Sequence, residues 1–570
     1  MSKINNQQGV ALIVFFSAVL AAGAVLLLST LADNNNRISN QNSTTESLAQ
    51  AKEALLSYAV NYYLSNLGIH GLLPCPEDKN SPLLDEGIQT ANCASMHENS
   101  LGRLAWKSLD IRPLKDASGE CLWYAVSGGF FRGPRSPMTN ADTPGMFQIY
   151  NEQGVLEKGA MPEDRVVAVV IAPGLPLSNQ NRLPASDLPC KVARGAVSAS
   201  DYLDNYLGIN NAIVDTVNTD TIDDFITSNR LKTNTALNDQ IITITTNDIF
   251  NAIKKNNAQY KLKINTLADT FVTCLSNYAN NSNLAFLTSS GSGSGGSGTG
   301  STPSTCLNDC RDDCDADRNL CILSSPSGPG RAQCQRDRAD CRRTCTSTCT
   351  STGGSSSTAF NLPWPAPIDI SGDFRVHANY TDSNVMTNTL GRFPFTTPAS
   401  NTLTSSQDLT TDPACRLSIA NDEYRLLWQN WKDHWFYITH TDYLPGTSSV
   451  QNSTACVGTN CLTVNTRSYA SLLIFSDSKI TTSPFNQLRQ DPYIESNTII
   501  GNLKTELTNY LEGTNATSST SNTSLIFDDY TALPPADQAR VNDRIYCINI
   551  TSAGVTQGYT YNLNNDPVCN

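Results

Sequence analysis

The chain is short of charge: Asp, Glu, Lys and Arg make up only 16% of its 570 residues, and Asn, Ser and Thr are abundant instead. With a net charge of −13 it has no basic stripe to follow a phosphate backbone, which argues against nucleic acid as a partner. Histidine is scarcer still, five in all, which leaves little room for acid–base or metal catalysis. No G-x-S-x-G, Walker A or H-E-x-x-H pattern occurs. The glycine-rich "GSGSGG" has no following Lys-Ser/Thr and no strand–helix context, so it reads as linker. A catalytic site therefore has no residues to be assigned, and no cofactor or metal is expected. His434 and His440 flank "WFYIT"; alternation places both on one strand face, where a solvated or edge position is expected.

Cysteine, by contrast, is plentiful. Eighteen are scattered along the chain, an even number that points to an oxidising compartment and so to export. The N-terminus supplies a signal for it. After "MSKINNQQG" comes the charge-free run "VALIVFFSAVLAAGAVLLLSTLA", Val10–Ala32. As a helix it would reach about 34 Å, enough to cross a bilayer, and it exceeds the ~7–15-residue apolar core of a secretory signal. From Ser47 onward Leu48, Ala51, Leu55, Leu56, Ala59, Tyr62 and Tyr63 recur at helical spacing. A membrane-spanning helix running on into an amphipathic one is expected over residues 10–66.

A short hydrophilic leader ending in Gly9, an apolar helix from Val10 and its amphipathic continuation resemble the type IV pilin and pseudopilin superfamily. The resemblance implies cleavage by prepilin peptidase between Gly9 and Val10, methylation of the new N-terminus, and association with other pilin-like subunits through the N-terminal helix. The chain departs from the family in one place: the glutamate usually found five residues into the mature chain is replaced by Val14. Minor subunits at filament tips, of the PilX-like or K-type pseudopilin kind, can lack it. Further on, "DASGECLWYAVSG" (116–128) is similar to the Asp/Gly turn and aromatic strand that follow the long helix in pseudopilins. The resemblance covers roughly residues 1–130.

Beyond that point the chain resembles itself. "RVVAVVIAPG" (165–174) recurs as "YASLLIFSDS" (469–478), "NYLGINNA" (205–212) as "NYLEGTNA" (509–516), and "NDQIITI" (238–244) as "NDRIYCI" (542–548), all at an offset of 304. The expected fold class is α+β: a long N-terminal pilin-like helix carrying a duplicated α+β head, each copy with a helix ending near "NYL". The expected units are a leader (1–9), the N-terminal helix (10–66), a first domain (67–288), a Gly/Ser linker (289–305), a cysteine-rich insert (306–349), a second linker (350–359) and a second domain (360–570).

The insert is its own problem. Cys306, Cys310, Cys314 and Cys321 mirror Cys349, Cys345, Cys341 and Cys334, with spacings of 4, 4 and 7 inverted in the second run. Of the 105 connectivities open to eight cysteines, the symmetry favours an antiparallel ladder pairing these positions in that order. At ~100° per residue the four cysteines of each run share one helix face. The first run is rich in Asp and the second in Arg, so opposite charges favour the hairpin. A metal site is disfavoured because the block has C-x₃-C spacing and no histidine. Elsewhere, Cys75–Cys93, Cys456–Cys461 and Cys547–Cys569 are expected disulfides, with Cys121–Cys190 and Cys274–Cys415 the weaker pairings.

These features imply a non-catalytic pilin-like minor or tip subunit acting in pilus assembly, adhesion or type II-like secretion. It would sit in the bacterial inner membrane before assembly and at the cell surface afterwards, where a host or environmental surface ligand is the expected contact. Two other classes are a membrane-anchored periplasmic or surface binding protein that does not polymerise, and a secreted hydrolase with an unfamiliar site.

Overall fold

The computed structural model describes residues 41–62, 69–77, 86–91, 93, 98–131, 139–182, 190, 198–216, 222–228, 236–256, 258–289, 360–370, 374, 376–384, 389–404, 406–413, 415–445, 461–480, 483–489, 504–518, 526–528, 541–551 and 554–570. Gly9, Val10, Val14, the Val10–Ala32 run, the linkers, the eight clustered cysteines and Cys456 lie outside the described residues.

Among the described residues no helix is long and apolar enough to cross a membrane, and sheet organises the molecule. This overturns the expected plan of a long N-terminal helix carrying a head. Helix α1, over residues 41–62, shows the physical reason. Its Leu48, Ala51, Leu55 and Ala59 are fully buried in a core shared with sheet residues, so the apolar stripe is a packing face within the body.

The first sheet contains β1 (Ser100–Arg103), β2 (Trp123–Val126), β3 (Phe147–Asn151), β4 (Leu156–Lys158), β5 (Val166–Ala172), β8 (Asp223–Thr227) and β9 (Gln240–Thr245); β6 (Asn205–Tyr206) and β7 (Ile209–Asn210) form a small hairpin beside it. The central β5 reads VVAVVIA and is buried throughout. Antiparallel strands alternate when one face meets water. Here both faces are covered, one by α1 and α2 (Thr246–Asn256), the other by Tyr202 and Leu203. The expected turn before β2 forms: Asp116 Oδ1 accepts the N–H groups of Ser118 and Glu120, and Gly119 takes φ +82°.

Next comes α3 (Ala258–Ser289), at 32 residues about 48 Å long. It follows the first sheet in the chain but packs on the second. Phe271 stacks on Phe393 with centroids 4.0 Å apart, and Cys274 is disulfide-bonded to Cys415. The second sheet is ordered β10 (Leu390–Arg392), β11 (Trp435–Thr439), β14 (Ser471–Ser476), β16 (Asp543–Thr551), β17 (Gly554–Gln557). Around it lie α4 (Pro398–Thr404), α5 (Glu423–Trp431), α6 (Gly513–Ser518), a small sheet of β12 (Leu462–Val464), β13 (Arg467–Tyr469) and β15 (Ile526–Phe527), and the hairpin β18–β19 (Tyr559–Tyr561, Pro567–Cys569). One hydrophobic core joins residues of both sheets through α1, α2, α3 and α5.

The two sheets share one frame. β1-β2-β5-β9 and β10-β11-β14-β16 run in the same antiparallel order. Contacts beyond the ladders repeat as well. Leu73 N–H donates to Phe130 O as Leu362 does to Tyr443 O, and Ser127 donates to Val167 O as His440 does to Ala470 O. Each half opens with L-P-x-P (Leu73–Pro76, Leu362–Pro365) laid against L-G-R (Leu101–Arg103, Leu390–Arg392). The glycine is needed there: a Cβ on Gly102 would come 2.8 Å from Pro76 Cβ, and one on Gly391 2.7 Å from Pro365 Cβ.

Two details differ from the sequence reading. Val170 pairs with Tyr124 and Ile242 where Leu473 pairs with Tyr437 and Tyr546, so the central strands correspond one residue short of the expected offset. That single step decides which face each side chain takes. The helix expected near "NYL" is a 3₁₀ turn in each half, Ala199–Asp201 and Leu507–Asn509, so the counterpart of Tyr510 is Tyr202.

Candidate functional site

The densest buried chemistry lies where residues 139–142 of the first half meet the end of α5 in the second. Thr139 N–H donates to Asn430 Oδ1 at 3.1 Å, and Asn140 Nδ2 donates to Asn430 O at 2.9 Å and to Asp433 Oδ1 at 3.0 Å. Asp142 Oδ2 lies 3.1 Å from His434 Nε2 and 3.9 Å from Arg489. The other ring nitrogen, Nδ1, faces Ser476 O at 2.6 Å. Beside it Lys504 Nζ donates to Asp433 Oδ2 at 2.6 Å. Arg392 donates to the carbonyls of Asp433 and Lys504, its guanidinium 5.0 Å and 4.9 Å from the rings of Phe436 and Tyr510.

Local sequence puts these groups in place. Asp422 caps α5 by accepting the Tyr424 N–H, Glu423 sits in its first turn, and the 3₁₀ turn Lys432–His434 carries the chain straight into β11. Burial alone would raise the Asp433 carboxyl, but the charges of Lys504, His434 and Arg392 outweigh it and hold it well below the usual carboxylate range. Asp142 is held low against its own burial by His434 and Arg489. A third carboxylate at the seam, Asp477, is likewise low despite burial, paired with Lys254 of α2 at 2.7 Å and Arg544 at 3.3 Å.

A histidine between a carboxylate and a serine suggests an acid–base relay, but the geometry does not make one. Ser476 offers its carbonyl to the ring, and its hydroxyl donates to His434 O. The side chains of His434, Asp142, Asp433, Lys504 and Arg489 are at most 1% exposed, so no substrate atom can come within proton-transfer reach. What the arrangement can do is hold the halves in one register. Removing one member would strand a charge in a low-dielectric interior.

His434 is thus in neither a solvated nor an edge position, and His440 is 9% exposed, its Nδ1 accepting the Asp442 N–H. The expectation fails because neither histidine lies within the strand: one ends a 3₁₀ turn and the other begins one. Burial also lowers His70 to about 3. Cys75–Cys93 and Cys547–Cys569 are disulfides, as are Cys121–Cys190 and Cys274–Cys415, while Cys461 is disulfide-bonded at the start of β12. Among the described residues no group of three or more His, Cys, Asp or Glu is placed to hold a metal ion. Asp142, Arg392, Asp433, Arg489 and Lys504 were not singled out in the sequence. Two signals could have found the arginines: L-G-R recurs at 101–103 and 390–392, and Q-x-R at 180–182 and 487–489.

No protein family, curated protein or solved structure matches the chain.

Proposed function

We propose that this chain is a non-catalytic, exported surface protein of the type IV pilin-like kind. It acts by contact, as a minor or tip subunit in filament assembly, adhesion or type II-like secretion. The observation that carries the non-catalytic part is the enclosure of the His434–Asp142 and Asp433–Lys504 groups in the joint between the halves. Four disulfides among the described residues support an oxidising destination. The pilin-like part rests on the leader ending at Gly9, the junction with Val10 and the valine at position 14. Its partners are then prepilin peptidase and other pilin-like subunits, and its route runs from the inner membrane to the cell surface.

The mature N-terminus tests this reading. Mass spectrometry of protein from cells with a prepilin peptidase is expected to find N-methyl-Val10, and Gly9→Ala is expected to block its appearance. An intact Met1, or cleavage near Ala32, would overturn the pilin-like assignment.

A further inference from the structure

Each half contains a buried pair of carboxyls with no lysine or arginine bonded to either member. In the first half Asp204 Oδ2 accepts the main-chain N–H groups of Asn238 and Asp239, at 2.6 and 2.9 Å. Asp239 Oδ2 accepts the N–H of Asp204 in return, at 2.8 Å, together with Asn211 Nδ2. The second half repeats this bond for bond. Glu512 Oε2 accepts from Asn542 and Asp543 N–H, both at 3.0 Å, and Asp543 Oδ2 accepts from Glu512 N–H at 2.9 Å and Asn515 Nδ2 at 3.2 Å. The remaining oxygen of Asp204 or Glu512 takes an amide proton from Gln180 or Gln487.

Donors run out at one atom in each pair. Asp239 Oδ1 and Asp543 Oδ1 are buried and accept nothing. Asp204 and Glu512 are satisfied as carboxylates, whereas Asp239 and Asp543 each have a buried oxygen that no donor among the described residues reaches, next to a second acid. We propose that Asp239 and Asp543 are protonated at Oδ1 in the folded protein, so that each half is fastened by a one-proton carboxyl clasp that is tightest in mildly acidic surroundings.

The clasp ties the segment after the 3₁₀ turn to the start of the fourth strand of the shared frame, β9 or β16. The charged groups facing it are few. Arg182 bears on Asp204 and Asp239 but spends its terminal N–H groups, Nη1 and Nη2, on the carbonyls of Pro173, Gly174 and Tyr202 and on Gln180, with Glu120 3.8 Å away. Arg489 bears on Glu512 and Asp543 and is held the same way by Asn509, Asp477, Ser476, Tyr510 and Gln487. Burial first, and then the neighbouring acid, pushes Asp239 and Asp543 well up from the ordinary carboxyl range. A carboxyl that binds its proton more tightly folded than unfolded takes up a proton on folding. Its contribution is complete below the unfolded value of about 4 and declines as pH rises through the folded one.

Asp239→Asn and Asp543→Asn replace the acid O–H by an amide N–H of the same shape, and so mimic the protonated clasp permanently. In thermal melts of the full oxidised chain, each variant is expected to match the wild-type Tm near pH 5 and to exceed it by several degrees near pH 8, with the double variant gaining about the sum. A Tm difference that does not change with pH would overturn the proposal. Infrared spectra of the wild type near pH 7 supply a readout that needs no folded variant. They are expected to show a carboxylic-acid C=O band that vanishes on unfolding. A folded protein without that band would overturn the proposal even if both variants failed to fold.

Discussion

The two halves bring the same crossing segment against the same strand, and they fasten it with different chemistry. In the first, Arg103 donates to the carbonyl of Cys190, and Cys190 is bonded to Cys121 just before β2. In the second, Arg392 donates to the carbonyl of Lys504, and Lys504 is ion-paired with Asp433 just before β11. A disulfide acts chiefly by restricting the unfolded chain and asks little of its surroundings. A buried ion pair depends on all its neighbours, because its attraction must offset two desolvated charges. The second fastening therefore needs Asn140 and Arg392 around it, and Asn140 comes from the other half. The chemistry that closes the second sheet is also the chemistry that joins it to the first.

The comparison breaks most visibly at Lys504. Lys504→Met leaves Asp433 fully buried with its main counter-charge gone, and a loss of about 3–5 kcal/mol in urea unfolding is expected. Adding Asp433→Leu should return most of that loss, since an apolar pair of similar volume needs no counter-charge. If the double variant is as unstable as the single, the ion pair is not the fastening. The matching change in the first half, Cys121→Ala with Cys190→Ala, opens a 69-residue closure and should cost about 2–4 kcal/mol. That loss should be the same at every pH and should make the chain correspondingly less sensitive to reductant.

The pH response separates the seam between the halves from the carboxyl clasps within them. Asp142, Asp433 and Asp477 lie below the ordinary carboxyl value when folded. Their contribution is present above the unfolded value of about 4 and is lost as pH falls through the folded values, opposite in sign to the carboxyl clasps. Asp142→Asn should cost about 1.5–3 kcal/mol near neutral pH and progressively less in acid, because wild type and variant converge once the carboxylate is protonated. Denaturant midpoints taken from neutral pH downward would show this. A cost that stays constant would mean that packing of residues 139–142, rather than the charge of Asp142, holds the seam.

How much of this was legible beforehand depended on the range of the signal. The turn at Asp116–Gly119 and the aromatic strand after it were readable because turn chemistry and β-formers act on neighbours. The recurrence at one constant offset was visible only toward the C-terminal end of each half, while the aromatic strand before it, "CLWYAVS" (121–127) against "DHWFYIT" (433–439), was matched one residue away from the observed correspondence of β2 and β11. The earlier marks are displaced by unequal insertions, Leu73 and Leu362 lying 289 apart and Trp123 and Phe436 lying 313 apart, so one constant offset misses them. The stripe of α1 was legible as a stripe, but periodicity does not say what covers it. It covers a sheet, and the expected stalk gave way to a packed layer. The ion cluster was invisible for a simpler reason: Asp142, Asp433, Arg489 and Lys504 come from four separated segments, and no spacing rule links them. His434 and His440 misled because alternation was extended beyond the strand into the 3₁₀ turns at its ends.

The smallest expected difference tests whether the shared frame is also shared energetically. Arg103 and Arg392 hold corresponding places, but their surroundings are unequal. Arg103 reaches one carbonyl and lies 5.9 Å and 5.3 Å from the rings of Trp123 and Tyr202. Arg392 reaches the carbonyls of Asp433, Lys504 and Ile368, with Phe374, Phe436 and Tyr510 around its guanidinium. Lysine keeps the charge but loses the planar fork and the stacking. Arg103→Lys should therefore cost about 1 kcal/mol and Arg392→Lys about 2 kcal/mol, measured as paired urea unfolding curves. Equal costs would mean that the carbonyl shared by both sites does the fastening and that the extra partners of Arg392 are packing alone. A larger cost at Arg392 that disappears in a Lys504→Met background would instead place the arginine and the ion pair in one cooperative unit, which is what its bond to the Asp433 carbonyl implies.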